Sequence, residues 1–207
     1  MKEIVSLMDY RSSIKVVDAT LRDGGLVNDF YFTDEFVKAL YIANIRAGVD
    51  YMEMGYKASK EMFDESKFGK WKFCDDDDIR AIVGDNDTGL KIAVMADVGR
   101  CDYRKDIVSR SESPVDLIRV ATYLNTIPAA ADMIEDAKKK GYEVSCNIMA
   151  ISSGLESDLR VALDILGKTS ADVFYIVDSF GSLYPEQIAR IADTYMEFAA
   201  KYGKKLG

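Results

Sequence analysis

The sequence predicts an α/β fold built on a parallel sheet, and three observations predict it. Short runs rich in Val, Ile, Met and Tyr recur at 15–20, 51–55, 90–96, 117–123, 143–150 and 173–179, as buried strands do. Amphipathic helical patterns separate them. Strand and helix alternate six times with no linker, repeat or low-complexity tract, which argues for helical crossovers within one domain, 1–207. A doubly wound sheet and a β/α barrel both satisfy this alternation. No G-x-G-x-x-G opens the first helix, which weakens the dinucleotide-binding version.

The elements follow in order. The first run leads into Asp18-Ala-Thr-Leu-Arg-Asp-Gly-Gly25, read as a strand end followed by a close turn at Gly24 and Gly25. Thr33 is an N-cap with Asp34 and Glu35 behind it, and that helix runs to Ala47, where Gly48 stops it. Residues 57–73 and 98–114 are irregular excursions after the second and third strands. Four carboxylates, Asp75 to Asp78, read as the acidic first turn of a helix reaching Val83, and 85–89 as a tight turn. A helix spans about 128–140 and stops at Gly141. The last helix begins at Pro185 and carries Ile188, Ile191, Ala192, Tyr195, Phe198 and Ala199 on one stripe. Met52, Met54, Met95 and Met149 read as core filler.

Composition narrows the function classes. The chain has 207 residues, 48% of them hydrophobic and 30% charged, a globular balance. Its net charge of −8, with no basic cluster, argues against nucleic acid as a partner. No apolar run approaches the roughly 20 residues that span a bilayer, and residues 1–10 do not read as a signal peptide. Cys74, Cys101 and Cys146 have no metal-ligand spacing and read as free thiols of a cytoplasmic protein. Histidine is absent, so acid/base and ligand chemistry falls to Asp, Glu, Arg, Tyr, Ser, Asn or Lys.

Polar residues inside the strands single out a site. Asp18, Glu53 and Arg119 sit mid-strand, where burial is costly unless they pair, and could satisfy one another inside a barrel. Ser145 and Asn147 share one strand face, and Asp178 lies near the end of the sixth strand. In the first motif, Asp23 suits Mg²⁺ or Mn²⁺, which prefer oxygen ligands. Arg22 suits a carboxylate or enolate oxygen through its bidentate fork.

The motif at 18–24 resembles the D-x-T-L-R-D-G signature of the metal-dependent lyases and synthases related to HMG-CoA lyase, isopropylmalate synthase and 4-hydroxy-2-oxovalerate aldolase. Ile118-Arg-Val-Ala-Thr-Tyr123 and Val177-Asp-Ser-Phe-Gly181 resemble the fourth and sixth strands of the aldolase branch. The resemblance runs from about residue 15 to 207. It implies a TIM (β/α)8 barrel, incomplete, with about six βα units present and a divalent cation, Mn²⁺ or Mg²⁺, at its C-terminal mouth. It implies Asp23 as a metal ligand, Arg22 as the residue that steadies a pyruvate enolate, and Ser179 beside the pyruvate carboxylate. Glu53, Asn147 and Asp178 join these as expected substrate-binding residues.

The reaction implied is reversible aldol cleavage of a 4-hydroxy-2-oxo acid to pyruvate and an aldehyde. Acyl-CoA condensation or cleavage on the same metal site, and a catalytically dead barrel serving as a binding module, are the alternatives. The expected partner is a small 2-oxo acid, and a homo-oligomer is compatible. The sequence departs from the aldolases twice. Leu26 stands where their catalytic His belongs, and Tyr123 stands where their fourth strand ends in His, which makes Tyr123 the candidate acid/base. Their remaining ligands, a His-x-His pair on the seventh strand, have no counterpart here. Residues 203–207 read as the approach to that strand, so the chain is expected to be a fragment.

Overall fold

The structure, a computed structural model, describes residues 13–207. The reading of residues 1–10 lies outside the described residues. Seven parallel strands form one sheet in the sequential order β1 to β7: β1 (Val17–Asp18), β2 (Tyr51–Tyr56), β3 (Lys91–Asp97), β4 (Leu117–Thr122), β5 (Glu143–Ile148), β6 (Val173–Ile176) and β7 (Lys205–Leu206). Sequential order with every pair parallel is barrel topology, not a doubly wound sheet, whose order reverses at a switch point. The sheet curls into an open half-barrel, with β1 and β7 as its free edges. The short β7 continues where the sequence suggested only an approach.

Among the described residues seven α-helices accompany the strands: α1 (Thr20–Asn28), α2 (Asp34–Ala47), α3 (Asp76–Val83), the single turn α4 (Tyr103–Asp106), α5 (Ile127–Lys139), α6 (Glu156–Gly167) and α7 (Pro185–Tyr202). Thr33 caps α2 by accepting from the Phe36 amide, and Gly48 ends it in the left-handed conformation, both as predicted. Asp76, Asp77 and Asp78 fill the first turn of α3. No helix among the described residues is long and apolar enough to cross a membrane.

Strand alternation divides the structure into two compartments. Met52, Met54, Ile92, Val94, Ile118, Val120, Val144, Cys146 and Phe174 are buried in the hydrophobic core together with helix residues such as Ile134, Leu163 and Tyr195. The opposite set faces the barrel interior. The register aligns Met95, Arg119, Ser145 and Val173 across four strands, and Ala121, Asn147 and Tyr175 across three. Glu143 closes the N-terminal end of this interior, accepting from the Tyr51 hydroxyl at 2.7 Å and pairing with Lys91. All three cysteines are free and buried.

The structure corrects four expectations. The run at 15–20 yields only a two-residue strand, because the chain turns into α1 at Thr20. Gly24 and Gly25 therefore lie inside a helix, not in a turn. A Cβ on Gly25 would collide with the Phe30 ring, so that glycine is needed for close approach. Asp18 does not join Glu53 and Arg119; its carboxylate accepts from Thr20 and from the Asn44 amide at 2.9 Å. Ile188 is 44% exposed despite its place on the α7 stripe, because α7 packs through Thr194, Tyr195 and Phe198. Gly25→Ala is expected to cost roughly 1–3 kcal/mol through overpacking, read as a lower denaturant midpoint at unchanged m-value. An unchanged midpoint would show that the Phe30 contact is not tight.

Candidate active site

Parallel strands place all their C-terminal ends on one rim, where the following loops converge. Asp23, Arg22, Tyr56, Asp97, Asn147 and Ser179 belong to α1, to the ends of β2, β3 and β5, and to the loop after β6. At the centre is Glu53, fully buried on β2. Its Oε2 accepts from Arg22 Nε at 2.9 Å and from Arg119 Nη1 at 2.6 Å. One carboxylate oxygen thus ties α1 to β4. A buried carboxylate survives only if its desolvation is offset in this way. Arg22 also contacts Asp23 through Nη1. Burial opposes the Arg22 charge, but Glu53, Tyr56 and Asp23 outweigh it and hold the guanidinium above its ordinary pKa.

The inner wall carries polar atoms without partners. Glu53 Oε1, Arg119 Nε, Ser145 Oγ, Asn147 Oδ1 and Asp97 Oδ1 are all buried and unpaired within the protein. Buried polar atoms ordinarily find hydrogen bonds, so a line of orphans along four adjacent strands marks a surface shaped for a polar guest. Arg119 and Ser145 of this set border an open interior space of about 750 Å³ that extends toward the N-terminal strand ends, lined also by Arg22, Tyr51, Glu143 and Tyr175. The Arg119 guanidinium stacks 4.8 Å from the centre of the Tyr175 ring.

The other predicted residues fall around this centre. Tyr123 follows β4 and is 46% exposed. The Asp178 carboxylate accepts from the Leu183 amide at 3.0 Å; that bond, with the Ser182, Phe180 and Gly181 amides, holds it below the usual range. It serves first to organise its own loop. Ser179 Oγ accepts from the Ala150 amide at 2.8 Å, joining the β6 loop to the β5 loop. Both residues lie in the loop beyond β6, which ends at Ile176, whereas the sequence reading carried that strand through Ser179.

Asp23 is a hard oxygen donor with its side chain 66% exposed beside the Arg22 cation. That chemistry fits one ligand of a divalent cation. Among the described residues no three His, Cys, Asp or Glu side chains gather as a metal-binding group.

No family model matches the chain. It is 26% identical over 179 residues to a 4-hydroxy-2-oxovalerate aldolase of Bacillus cereus, covering 84% of this chain and 50% of that protein. The chain is a distant relative of the 4-hydroxy-2-oxovalerate aldolases. It is also 26% identical over 186 residues to an oxaloacetate decarboxylase of Mycobacterium tuberculosis, covering 86% and 52%. It spans about half the length of these curated relatives. The fold matches the crystal structure of the N-terminal domain of a "putative aldolase" from Bacteroides vulgatus, with TM-score 0.72 and 23% identity over 93% of this chain and 71% of that one. The half-barrel with sequential parallel strands is therefore a partial TIM barrel.

Three rim residues escaped the sequence reading of this aldolase relative. Asp97 is the last residue of β3, one position past the predicted strand end, and is 9% exposed. Burial pushes its carboxyl up, partly offset by Arg100, Lys72 and Arg22. Tyr56 ends β2; burial, helped by Asp97, raises its hydroxyl against the opposing pull of Arg22. Lys72 lies in the excursion after β2 and is 7% exposed. A polar residue closing an apolar run would have pointed to Asp97; nothing local marks Lys72.

Proposed function

We propose that the protein is a carbon–carbon lyase acting on 2-oxo acids, by aldol cleavage of a 4-hydroxy-2-oxo acid to pyruvate and an aldehyde. The observation that carries this reading is the fixed Arg22. Its Nε is occupied by buried Glu53, so its remaining N–H groups are held at the rim in one orientation. A preorganised cation aimed at developing oxyanion charge lowers a barrier without reorganising during reaction.

In cleavage the C3–C4 bond breaks, its electron pair moves into the C2 enolate, and the C4 hydroxyl loses its proton as the aldehyde forms. Arg22 takes the enolate oxygen or the adjoining carboxylate. Asn147 and Ser179 orient the acid, with Asp178 holding the loop that carries Ser179. Glu53 keeps Arg22 in place. Tyr123, exposed after β4, acts as its phenolate, taking the C4 hydroxyl proton and delivering that proton to enolate C3. Asp23 would serve as one ligand of a divalent cation, which when bound would supply Lewis-acid polarisation of the 2-oxo group.

A second reading is favoured by Leu26, which is 60% exposed where the resemblance calls for a basic residue. Decarboxylation of a 2-oxo diacid sends the same electron pair into the same enolate as CO₂ leaves, and removes no hydroxyl proton. Pyruvate release from a 4-hydroxy-2-oxo acid and from oxaloacetate, each with added Mn²⁺, separates the two. Release from the hydroxy acid supports aldol cleavage. Release from oxaloacetate alone supports decarboxylation, and release from neither overturns both.

A further inference from the structure

Lys72 is an unusual cation. Its Nζ stands 4.7 Å from the ring centre of Phe63, 4.8 Å from Tyr56, 5.1 Å from Phe30 and 5.5 Å from Phe68. Among the described residues no carboxylate lies within ion-pair distance of it. The contrast with Lys57, equally buried in the same excursion, is instructive. Lys57 donates to the Cys74 carbonyl at 2.8 Å and pairs with Asp76 at 3.1 Å, a conventional structural ammonium. Lys72 is surrounded by ring faces instead. Burial lowers its pKa, against the pull of Asp97. The four quadrupoles act the other way, each favouring the charged form. Neutral ring faces stabilise a cation without cancelling its charge, so its field remains available to an anion.

The cage also sits in the right place. Tyr56, one of its walls, ends β2 on the catalytic rim, and the same tyrosine feels both Arg22 and Asp97. Lys72 thus stands over the ring of Tyr56 while Arg22 acts on the hydroxyl of the same residue. Asp97, nine-tenths buried with Oδ1 unpartnered, lies in the field of both cations and of Arg100, whose guanidinium approaches only to 4.0 Å. Arg22, Lys72 and Arg100 around the incompletely paired Asp97 make this part of the rim suited to receive negative charge.

We infer that Lys72 forms a second anion subsite, one tyrosine ring away from Arg22, which takes an acidic group on the aldehyde side of the substrate. The substrate is then a doubly anionic 2-oxo acid: Arg22 takes the 2-oxo acid end and Lys72 the far end. The far group is one that the product aldehyde keeps, because an ammonium paired to a departing carboxylate would stabilise the ground state and slow its loss. This inference rests on the 2-oxo acid reading of Arg22.

Calorimetric titration with 2-oxopentanoate and with 2-oxopentanedioate tests it, since the two differ only in the terminal carboxylate. The wild-type chain is expected to bind the diacid roughly tenfold or more tightly, the scale of one charge-assisted hydrogen bond formed largely out of water. Lys72→Met keeps the side-chain volume and places sulfur among the rings; it should abolish that preference while leaving the monoacid affinity unchanged. Lys72→Gln should do the same if the methionine variant fails to fold. Equal binding of both acids by the wild type, binding of neither, or a preference that survives in a folded variant overturns the subsite. A diacid preference that depends on Lys72 without any pyruvate release from either substrate class leaves the subsite standing and removes the lyase reading.

Discussion

Glu53→Gln is expected to lower stability by about 3–5 kcal/mol, the scale seen when one partner of a buried ion pair is removed. The substitution keeps the shape and removes only the charge. Two guanidiniums, Arg22 and Arg119, would then share a buried neutral amide. For a chain of this size each kcal/mol is worth about 2–4 °C in melting temperature, so the fall should be on the order of 10 °C. Arg119→Met in the same background should recover part of the loss, because it removes one of the two uncompensated cations. Thermal unfolding of the single and double variants measures both terms. A melting temperature unmoved by Glu53→Gln would mean that the carboxylate is not the counter-charge its geometry implies.

Arg22→Lys is expected to lower kcat by about 10²–10³, as loss of a preorganised oxyanion donor does, with KM changed far less. Lysine keeps the positive charge, but it has no planar fork to satisfy Glu53 with one arm and substrate with another. The ammonium would turn to Glu53 Oε2 and leave the rim. Steady-state kinetics on the substrate class that releases pyruvate reads this directly. If KM rises and kcat holds, Arg22 contributes ground-state binding only, and its assigned role in the transition state fails.

The strands were legible because most are Val-, Ile- and Met-rich runs interrupted by single polar residues in the phase that faces the interior. Glu53, Arg119, Ser145 and Asn147 gave the polar lumen away through that phase alone. The motif at 18–24 pointed to the rim, and the structure brings Arg22, Asp23 and Glu53 together there.

Helix α1 was not legible. Two consecutive glycines cost about 1 kcal/mol each in a helix, so local propensity favours a turn, and tertiary packing of Gly25 against Phe30 overrides it. The Lys72 cage was equally hidden, because Phe30, Tyr56, Phe63 and Phe68 come from three separate stretches and meet only in the fold. Asp18 was misassigned for a related reason. A period-two pattern gives a side chain's face but not its partner, and Asn44 on α2 reached it first.

The single oxygen by which Glu53 grips both Arg22 and Arg119 makes the Leu-Arg-Asp-Gly-Gly segment a non-portable cassette. Its working part is half supplied by a neighbouring strand that shares no sequence with it. Grafted into another barrel without an acid at that depth, the same five residues would present an arginine free to swing into water.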